Sequence, residues 1–193
     1  MKTQKQWREE KRQARKNLST TDKAEKSQTI IKKIIESNDY KNAKHIGMYL
    51  AMPEEVNLQT LIETAWKDGK SVYLPVVIGW GELLLFAPYT SDSQLVKDAL
   101  NIDIPNTDTD SYITADKLDL VITPLVAFDK NNNRIGMGGG FYDRTFSCKK
   151  LQANPDSPQN KPTLIGVAFA IQQTDSLIPV NEWDIPVDKI ISE

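Results

Sequence analysis

A glycine-rich segment has the residue types of an anion-binding loop. Residues 131–144 read NNNRIGMGGGFYDR, which places four of the chain's nine glycines within five positions. Glycine costs about 0.5–1 kcal/mol relative to alanine in regular structure, so such a cluster indicates that a ligand approaches the backbone closely. Glycines also allow a concave group of N–H donors, and Arg134 and Arg144 add positive charge on either side. We therefore predict that this loop binds phosphate.

The loop matches neither of two common phosphate-binding sequences. The pattern G-x-x-x-x-G-K-[ST] is absent, and G-x-G-x-x-G would need a glycine where Phe141 stands. A second interpretation stays open on these residues alone, because glycines also permit a tight bulge without any ligand.

Acidic residues near the loop suggest a metal site. Asp143 follows the glycines directly, and its carboxylate would repel a bound phosphate unless a cation lay between them. Mg²⁺ binds in this way, through one or two carboxylates and phosphate oxygens. Asp184, in NEWDIPVD, is a possible second ligand. Alternatively, Asp143 is an acid in the first turn of a helix, where the helix dipole favours it.

Two further segments carry charged candidates. MPEEV places Glu54 and Glu55 just after a predicted strand end, where α/β sheets place ligand contacts. Residues 1–18 carry seven basic side chains against two glutamates, although the whole chain has a net charge of −2. This asymmetry indicates an anionic partner for the N-terminal end, although a charged face that merely contacts solvent is the alternative.

The basic segment is predicted to be a helix over residues 4–18. At 100° per residue, four basic residues fall within about one quarter of the circumference, with three apolar residues opposite. The basic stripe consists of Lys5, Arg8, Arg12 and Arg15, and the apolar side of Trp7, Ala14 and Leu18. We expect the stripe to be exposed, and we expect Arg15→Ala to change the KM for ATP little in comparison with Arg8→Ala.

The elements that must position these residues alternate between strands and helices. The predicted order is helix, helix, strand, helix, strand, strand, helix, strand, glycine loop, helix, strand, strand. Thr20 or Thr21 is expected to cap the second helix, and residues 151–162 are expected to form a polar surface loop. The alternation predicts an α/β fold, a single three-layer α/β/α domain with a mostly parallel central sheet over residues 1–193.

Composition excludes several classes of protein. The sequence of 193 residues has no apolar run long enough for a membrane helix, and its polar N-terminus does not resemble a secretory signal. With one cysteine (Cys148) and one histidine (His45), it cannot build a zinc site from those ligands. We expect a cytoplasmic protein that has neither nucleic acid nor a membrane as a partner, and that acts as a monomer.

The segment PLVAFDKNNNRIGMGGGFYDR resembles the signature of the 5-formyltetrahydrofolate cyclo-ligase family. Three other segments match in order, namely the N-terminal helix ending in ARKNLS, YLAMPEEVNLQTLI, and IGVAFAIQQ through IPVNEWDIPVDKIIS. The resemblance covers most of the chain. It implies ATP-dependent closure of 5-formyltetrahydrofolate to 5,10-methenyltetrahydrofolate, with Mg²⁺ and with release of ADP and phosphate.

The resemblance also implies roles for individual residues. Arg134 and Arg144 would be catalytic, Leu50, Glu55 and Tyr142 would bind the folate, and Asp143 and Asp184 would hold the metal. The N-terminal helix, residues 1–18, would contribute to the nucleotide site. The implied ATP-binding residues are Lys5, Arg8, Arg134, Ile135, Gly136, Met137, Gly138, Gly139, Gly140, Phe141 and Tyr142.

The sequence departs from the family pattern at a few positions. A family lysine falls on Gln4, with Lys5 as its neighbour, while Met137 and Trp183 replace a frequent tyrosine or arginine and a frequent histidine. Residues 100–107 keep Pro105 but match only loosely. Two alternatives are an inactive homologue that still binds folate or nucleotide, and an ATP-dependent ligase or kinase acting on another small anion.

Overall fold

The computed structural model describes residues 2–98, 100–151 and 162–193. Most of the polar loop predicted at residues 151–162 therefore lies outside the described residues. The helices are α1 (Gln4–Lys16), α2 (Thr20–Glu36), α3 (Asn38–Asn42), α4 (Gln59–Lys67) and α5 (Phe141–Thr145). Four short 3₁₀ helices span Thr109–Ser111, Ala115–Lys117, Ser147–Leu151 and Ala170–Gln172.

A six-stranded sheet forms the centre of the fold, in the order β10-β9-β6-β1-β2-β3. All neighbours in it are parallel except β2 and β3, which form an antiparallel hairpin. Its strands are β1 (His45–Gly47), β2 (Ser71–Val77), β3 (Leu84–Tyr89), β6 (Leu120–Pro124), β9 (Thr163–Val167) and β10 (Lys189–Ile191). Two ribbons lie beside it, β4 (Leu95–Lys97) with β5 (Asp103–Pro105) and β7 (Ala127–Phe128) with β8 (Arg134–Ile135).

Alternating side chains of the sheet build a core on each face. In β6, Leu120 and Ile122 contribute to the cluster that packs against α2 and α4, whereas Val121 belongs to the opposite cluster with Phe146 and Leu164. This period of two is expected for a strand whose two faces are both buried. The predicted α/β fold with a mostly parallel central sheet is thus confirmed, although among the described residues α5 is the only α-helix that packs on the opposite cluster.

Three local predictions were wrong. Ser19, rather than Thr20 or Thr21, caps α2, because its side chain accepts a hydrogen bond from the Asp22 N–H. The helix expected between β3 and β6 is replaced by the β4–β5 ribbon and two 3₁₀ turns. That stretch is rich in Asp, Asn and Thr, whose side chains bond to the nearby backbone and favour turns over helices.

The third correction concerns the stripe on α1. Lys5 is exposed, but Arg15 is only 1% exposed and lies in the protein interior, where it contacts Glu54 and the Leu125 carbonyl. The projection at 100° per residue gave only the angular positions of the side chains around the helix axis. It could not show that loops distant in sequence cover the last turn of the helix.

No helix in the described part of the chain is both long and apolar enough to cross a bilayer.

Candidate active site

A cleft of about 520 Å³ opens at the carboxyl ends of the parallel strands. The segments that follow β1 and β6 line it, together with β2, the glycine loop and the start of α1. Its volume is typical of small-molecule sites, and its position is the one expected for ligand binding in α/β sheets. The predicted site residues that line it are Arg8, Leu50, Glu55, Arg134, Ile135, Gly136, Met137, Gly138, Gly139, Gly140, Phe141, Tyr142, Asp143 and Asp184.

The glycine loop forms one wall of the cleft between β8 and α5. Gly138 and Gly140 have φ values of +104° and +66°, which are conformations that other residues rarely adopt. Among the described residues, no hydrogen bond engages the backbone N–H groups of residues 136–140. These donors are therefore available to an anion. Because α5 has only five residues, its helix dipole adds little to this group.

Arg134 and Asp143 are paired across the loop. Arg134 Nη2 donates to Asp143 Oδ1 at 2.9 Å, and the backbone N–H of Ile185 donates to the same oxygen at 3.1 Å. The Arg134 side chain is 5% exposed, and its Nε has no partner among the described residues. A buried guanidinium with unused donors is well suited to binding an anionic oxygen.

The start of α1 contacts the loop directly. Arg8 Nε donates to the Gly136 carbonyl at 2.8 Å, and its guanidinium lies beside Gly138. Gln4 Nε2 donates to Asp184 Oδ2 and to the Pro179 carbonyl, both at 2.8 Å. The structure thus places Arg8 and Gln4 in the cleft.

Two predicted residues are not brought to the cleft. Lys5 lies on the outer side of α1, in a shallow depression with Lys2, Pro179 and Asn181. Arg144 lies behind the loop, where its Nη2 donates to the Gly139 carbonyl at 2.9 Å. Its guanidinium carbon is 5.0 Å from the centre of the Phe141 ring. In this geometry Arg144 supports the loop from outside the cleft.

Asp143 and Asp184 fit a Mg²⁺ ion that also binds phosphate. Within the described residues, Asp143 Oδ2 and Asp184 Oδ1 have no hydrogen-bond partner, so each carboxylate has an oxygen to offer. No group of three or more His, Cys, Asp or Glu side chains in the described ranges could hold a metal. A pair of carboxylates completed by phosphate oxygens and water is the usual arrangement for Mg²⁺.

Glu55 lines another part of the cleft, in the segment after β1. Its side chain is 9% exposed, and Oε2 accepts the Met52 N–H at 3.1 Å. Burial raises the pKa of the Glu55 carboxyl, whereas the Met52 N–H and the Arg15 guanidinium lower it in part. Burial also raises the pKa of the Tyr142 hydroxyl, and the nearby charge of Glu55 adds to the effect. Tyr142 therefore acts as a neutral hydrogen-bonding group.

Sequence reasoning missed several residues of the cleft. Tyr49 and Leu125 follow β1 and β6, so the rule that ligands bind beyond strand ends could have indicated them. Trp80 lies at the tip of the β2–β3 hairpin and is 75% exposed, with its ring 5.8 Å from the Phe141 ring. Only the folded hairpin brings Trp80 to the cleft, and no pattern in the sequence indicated it.

Comparison with known proteins gives a consistent match. The 5-formyltetrahydrofolate cyclo-ligase family matches residues 1–193. The chain is similar to a 5-formyltetrahydrofolate cyclo-ligase of Haemophilus influenzae, with 35% identity over 99% of both chains. It is also similar to one of Escherichia coli K12, with 36% identity over 94% of this chain and 95% of the relative.

A solved structure has the same fold. It is that of the 5,10-methenyltetrahydrofolate synthetase of Aquifex aeolicus, which superposes with a TM-score of 0.79 at 27% identity. The superposition covers 97% of this chain and 88% of the Aquifex aeolicus chain.

Proposed function

The chain belongs to the 5-formyltetrahydrofolate cyclo-ligase family, and we propose that the cleft converts 5-formyltetrahydrofolate to 5,10-methenyltetrahydrofolate at the expense of ATP. The observation that carries the assignment of the site is the composition of the cleft. One part of it, here called the phosphate end, has a loop with free N–H donors and a buried arginine, and another part, here called the folate end, has a buried carboxylate. The first end suits a triphosphate and the second suits a ring that carries N–H donors.

The reaction needs an activated formyl oxygen. This oxygen attacks the γ-phosphorus of ATP, so that an O–P bond forms and the bond to ADP breaks. N10 of the folate then attacks the formyl carbon and loses its proton, and the C–O bond to phosphate breaks as the ring closes. In both steps negative charge develops on phosphoryl oxygens. Cationic groups and N–H groups that are held close to these oxygens stabilise that charge.

The residues of the phosphate end divide this task. The N–H groups of residues 136–140 bind phosphate oxygens, and Arg134 neutralises the charge on the transferred group. Arg8 binds the nucleotide from α1, where its side chain already contacts the loop. Asp143 and Asp184 would hold Mg²⁺. The ion would reduce the repulsion between the phosphates and these carboxylates, and also the repulsion among the phosphates.

The residues of the folate end bind and orient the ring. Glu55 accepts hydrogen bonds from N–H groups of the pterin. Leu50 and Tyr142 form walls of the pterin pocket. Lys5 and Arg144 lie outside the cleft, so we assign neither of them a direct contact with the substrates. The expectations of one domain over residues 1–193 and of a cytoplasmic monomer without nucleic acid or membrane partners stay predictions.

The formation of methenyltetrahydrofolate can be followed by its absorbance. We expect the purified chain to produce it only when 5-formyltetrahydrofolate, ATP and Mg²⁺ are all present. ADP should appear in equal amount. ATP hydrolysis without ring closure would contradict the proposed function.

A further inference from the structure

Arg15 is a buried cation directly behind the folate end of the cleft. It lies in the last turn of α1, is 1% exposed and does not line the cleft itself. Its guanidinium donates to Glu54 Oε1 at 3.4 Å and to the Leu125 carbonyl at 3.3 Å, and Nη1 lies 3.8 Å from Glu55 Oε1. One side chain thus joins α1 to two segments that build the cleft.

Burying such a charge is unfavourable unless partners compensate for it. An arginine without counter-charges in the interior would cost several kcal/mol, and its guanidinium cannot lose its proton to avoid that cost. An apolar residue at position 15 would not have this requirement. The presence of a charge here therefore needs an explanation beyond the packing of α1.

Burial is also unfavourable for the negative charge of Glu55. A carboxylate that is 9% exposed tends to take up a proton, and a neutral carboxyl is a poor acceptor for the N–H groups of a pterin. The groups that face it are Arg15, Glu54, Tyr49 and Tyr142, of which Arg15 alone is cationic. Without Arg15, its remaining support is the Met52 N–H, and Glu54 opposes its charge.

Arg15 also contacts a second segment of the cleft wall, after β6. Leu125 and Val126 line the cleft there, and their carbonyls accept hydrogen bonds from Gln172 Nε2 at 2.7 and 3.0 Å. Arg15 donates to the same Leu125 carbonyl. Because one guanidinium contacts Glu55 and this wall together, it sets the position of the carboxylate relative to the rest of the folate pocket.

We propose that Arg15 is a positioning residue that keeps the Glu55 carboxylate ionised and directed into the folate end of the cleft. This inference rests on the proposed function, since it takes the folate as the ligand of Glu55. It replaces the expectation that the Arg15 side chain is exposed to solvent. Arg15 acts through Glu55 and does not touch either substrate.

The test compares Arg15→Met, Arg15→Lys and the control Lys16→Met, an exposed neighbour on the same helix. Steady-state kinetics for folate and for ATP are measured from pH 5.5 to 9, with thermal unfolding in parallel. We expect Arg15→Met to raise the KM for 5-formyltetrahydrofolate about tenfold or more at pH 7, while the KM for ATP changes less than twofold. Arg15→Lys should recover part of the loss, and Lys16→Met should match the wild type.

The pH profile separates positioning from simple support of the fold. Without the cation, Glu55 becomes protonated at higher pH, so the acid limb of kcat/KM for folate should move to higher pH in Arg15→Met. Adding Glu55→Gln to Arg15→Met should cost little more than either change alone, because both act through one group. An Arg15→Met enzyme with a lowered Tm but an unchanged folate KM and acid limb would overturn the proposal.

A second variant covers the case in which Arg15→Met does not fold. Glu54→Gln removes the negative charge that opposes ionisation of Glu55, so the acid limb should move to lower pH. An unmoved limb would count against the proposal. A wild-type enzyme that forms no methenyltetrahydrofolate would refute the proposed function itself. An active wild type, together with Arg15 variants whose folate KM and pH profile match it, would refute only this inference.

Discussion

Arg134 donates to Asp143 at 2.9 Å across the glycine loop, so the cation proposed for phosphoryl transfer and the carboxylate proposed for Mg²⁺ hold each other in place. The Ile185 N–H fixes the same carboxylate oxygen. This pairing leaves the second oxygen of Asp143 without a hydrogen-bond partner among the described residues, and so available to a cation. It also means that a change at either residue disturbs the other, so the variants must be chosen to separate their roles.

Arg134→Ala should lower kcat by about 10²–10³-fold, because a preorganised donor to developing phosphoryl charge is lost. Arg134→Lys keeps a charge but not the bidentate geometry, and should recover only part of the activity. Single-turnover kinetics with saturating ATP would measure the effect on chemistry. Near-normal rates in a folded Arg134→Ala enzyme would contradict its role.

Asp143→Asn should raise the Mg²⁺ concentration needed for half-maximal activity, because a neutral amide binds the cation less tightly than a carboxylate. Titration of Mg²⁺ at fixed ATP would show this. Asp116→Asn, at an exposed aspartate that pairs with Lys117, is the matched control. Normal activity of Asp143→Asn at limiting Mg²⁺ would exclude Asp143 as a ligand.

Glu55→Gln should weaken folate binding far more than ATP binding, since an amide cannot offer the same charged acceptor. The pKa of Glu55 is raised by burial, so the ionised form is lost at a higher pH than for an exposed glutamate. Folate binding by the wild type should therefore fall as the pH is lowered through this pKa. The fall should be absent in Glu55→Gln and present in the exposed control Glu63→Gln. Equal losses of folate and ATP affinity would indicate a structural role.

Arg8→Ala should raise the KM for ATP by about tenfold, with a smaller effect on the KM for folate. Its guanidinium contacts the glycine loop and can bind phosphate bidentately. Lys5→Ala is the informative comparison, because Lys5 lies on the same helix outside the cleft. If the two variants have the same ATP kinetics, the contact between α1 and the loop has no role in nucleotide binding.

Gly140→Ala should reduce both stability and activity. Its φ of +66° disfavours a side chain, and an added Cβ would lie 2.7 Å from Arg144 Nη1. Gly69→Ala has a similar φ of +70° but open space around the new Cβ. Thermal unfolding should show a loss of about 1 kcal/mol for Gly69→Ala from backbone strain alone. Only Gly140→Ala should also lose activity.

The order of the sheet elements could be predicted from short-range patterns. The strands β2 and β3 coincide with runs of mainly apolar and β-branched residues. The resemblance to the family indicated the roles of the glycine loop and its neighbours. The apolar run HIGMYL continues to residue 50, but β1 ends at Gly47, because the chain beyond it turns into the segment that carries Glu55. Strand ends depend on contacts that a single sequence does not reveal.

Contacts between distant segments were the part that the sequence could not provide. Arg15 has the spacing of a solvent-exposed residue, but residues 54, 55 and 125 enclose it. Arg144 is flanked by site residues, but its side chain turns behind the loop to the Gly139 carbonyl. Trp80 reaches the cleft through the hairpin. For Arg15 and Trp80 the partners lie on other elements, which only the fold brings near, whereas for Arg144 the sequence did not show the direction of the side chain.

The most direct test of the account is the appearance of methenyltetrahydrofolate absorbance in a mixture of the purified wild-type chain with 5-formyltetrahydrofolate, ATP and Mg²⁺. We expect one ADP for each methenyltetrahydrofolate formed, and no product when ATP is omitted or replaced by a non-hydrolysable analogue. Absence of product from the folded wild-type chain with all components present, or product formation that does not depend on ATP, would contradict the account.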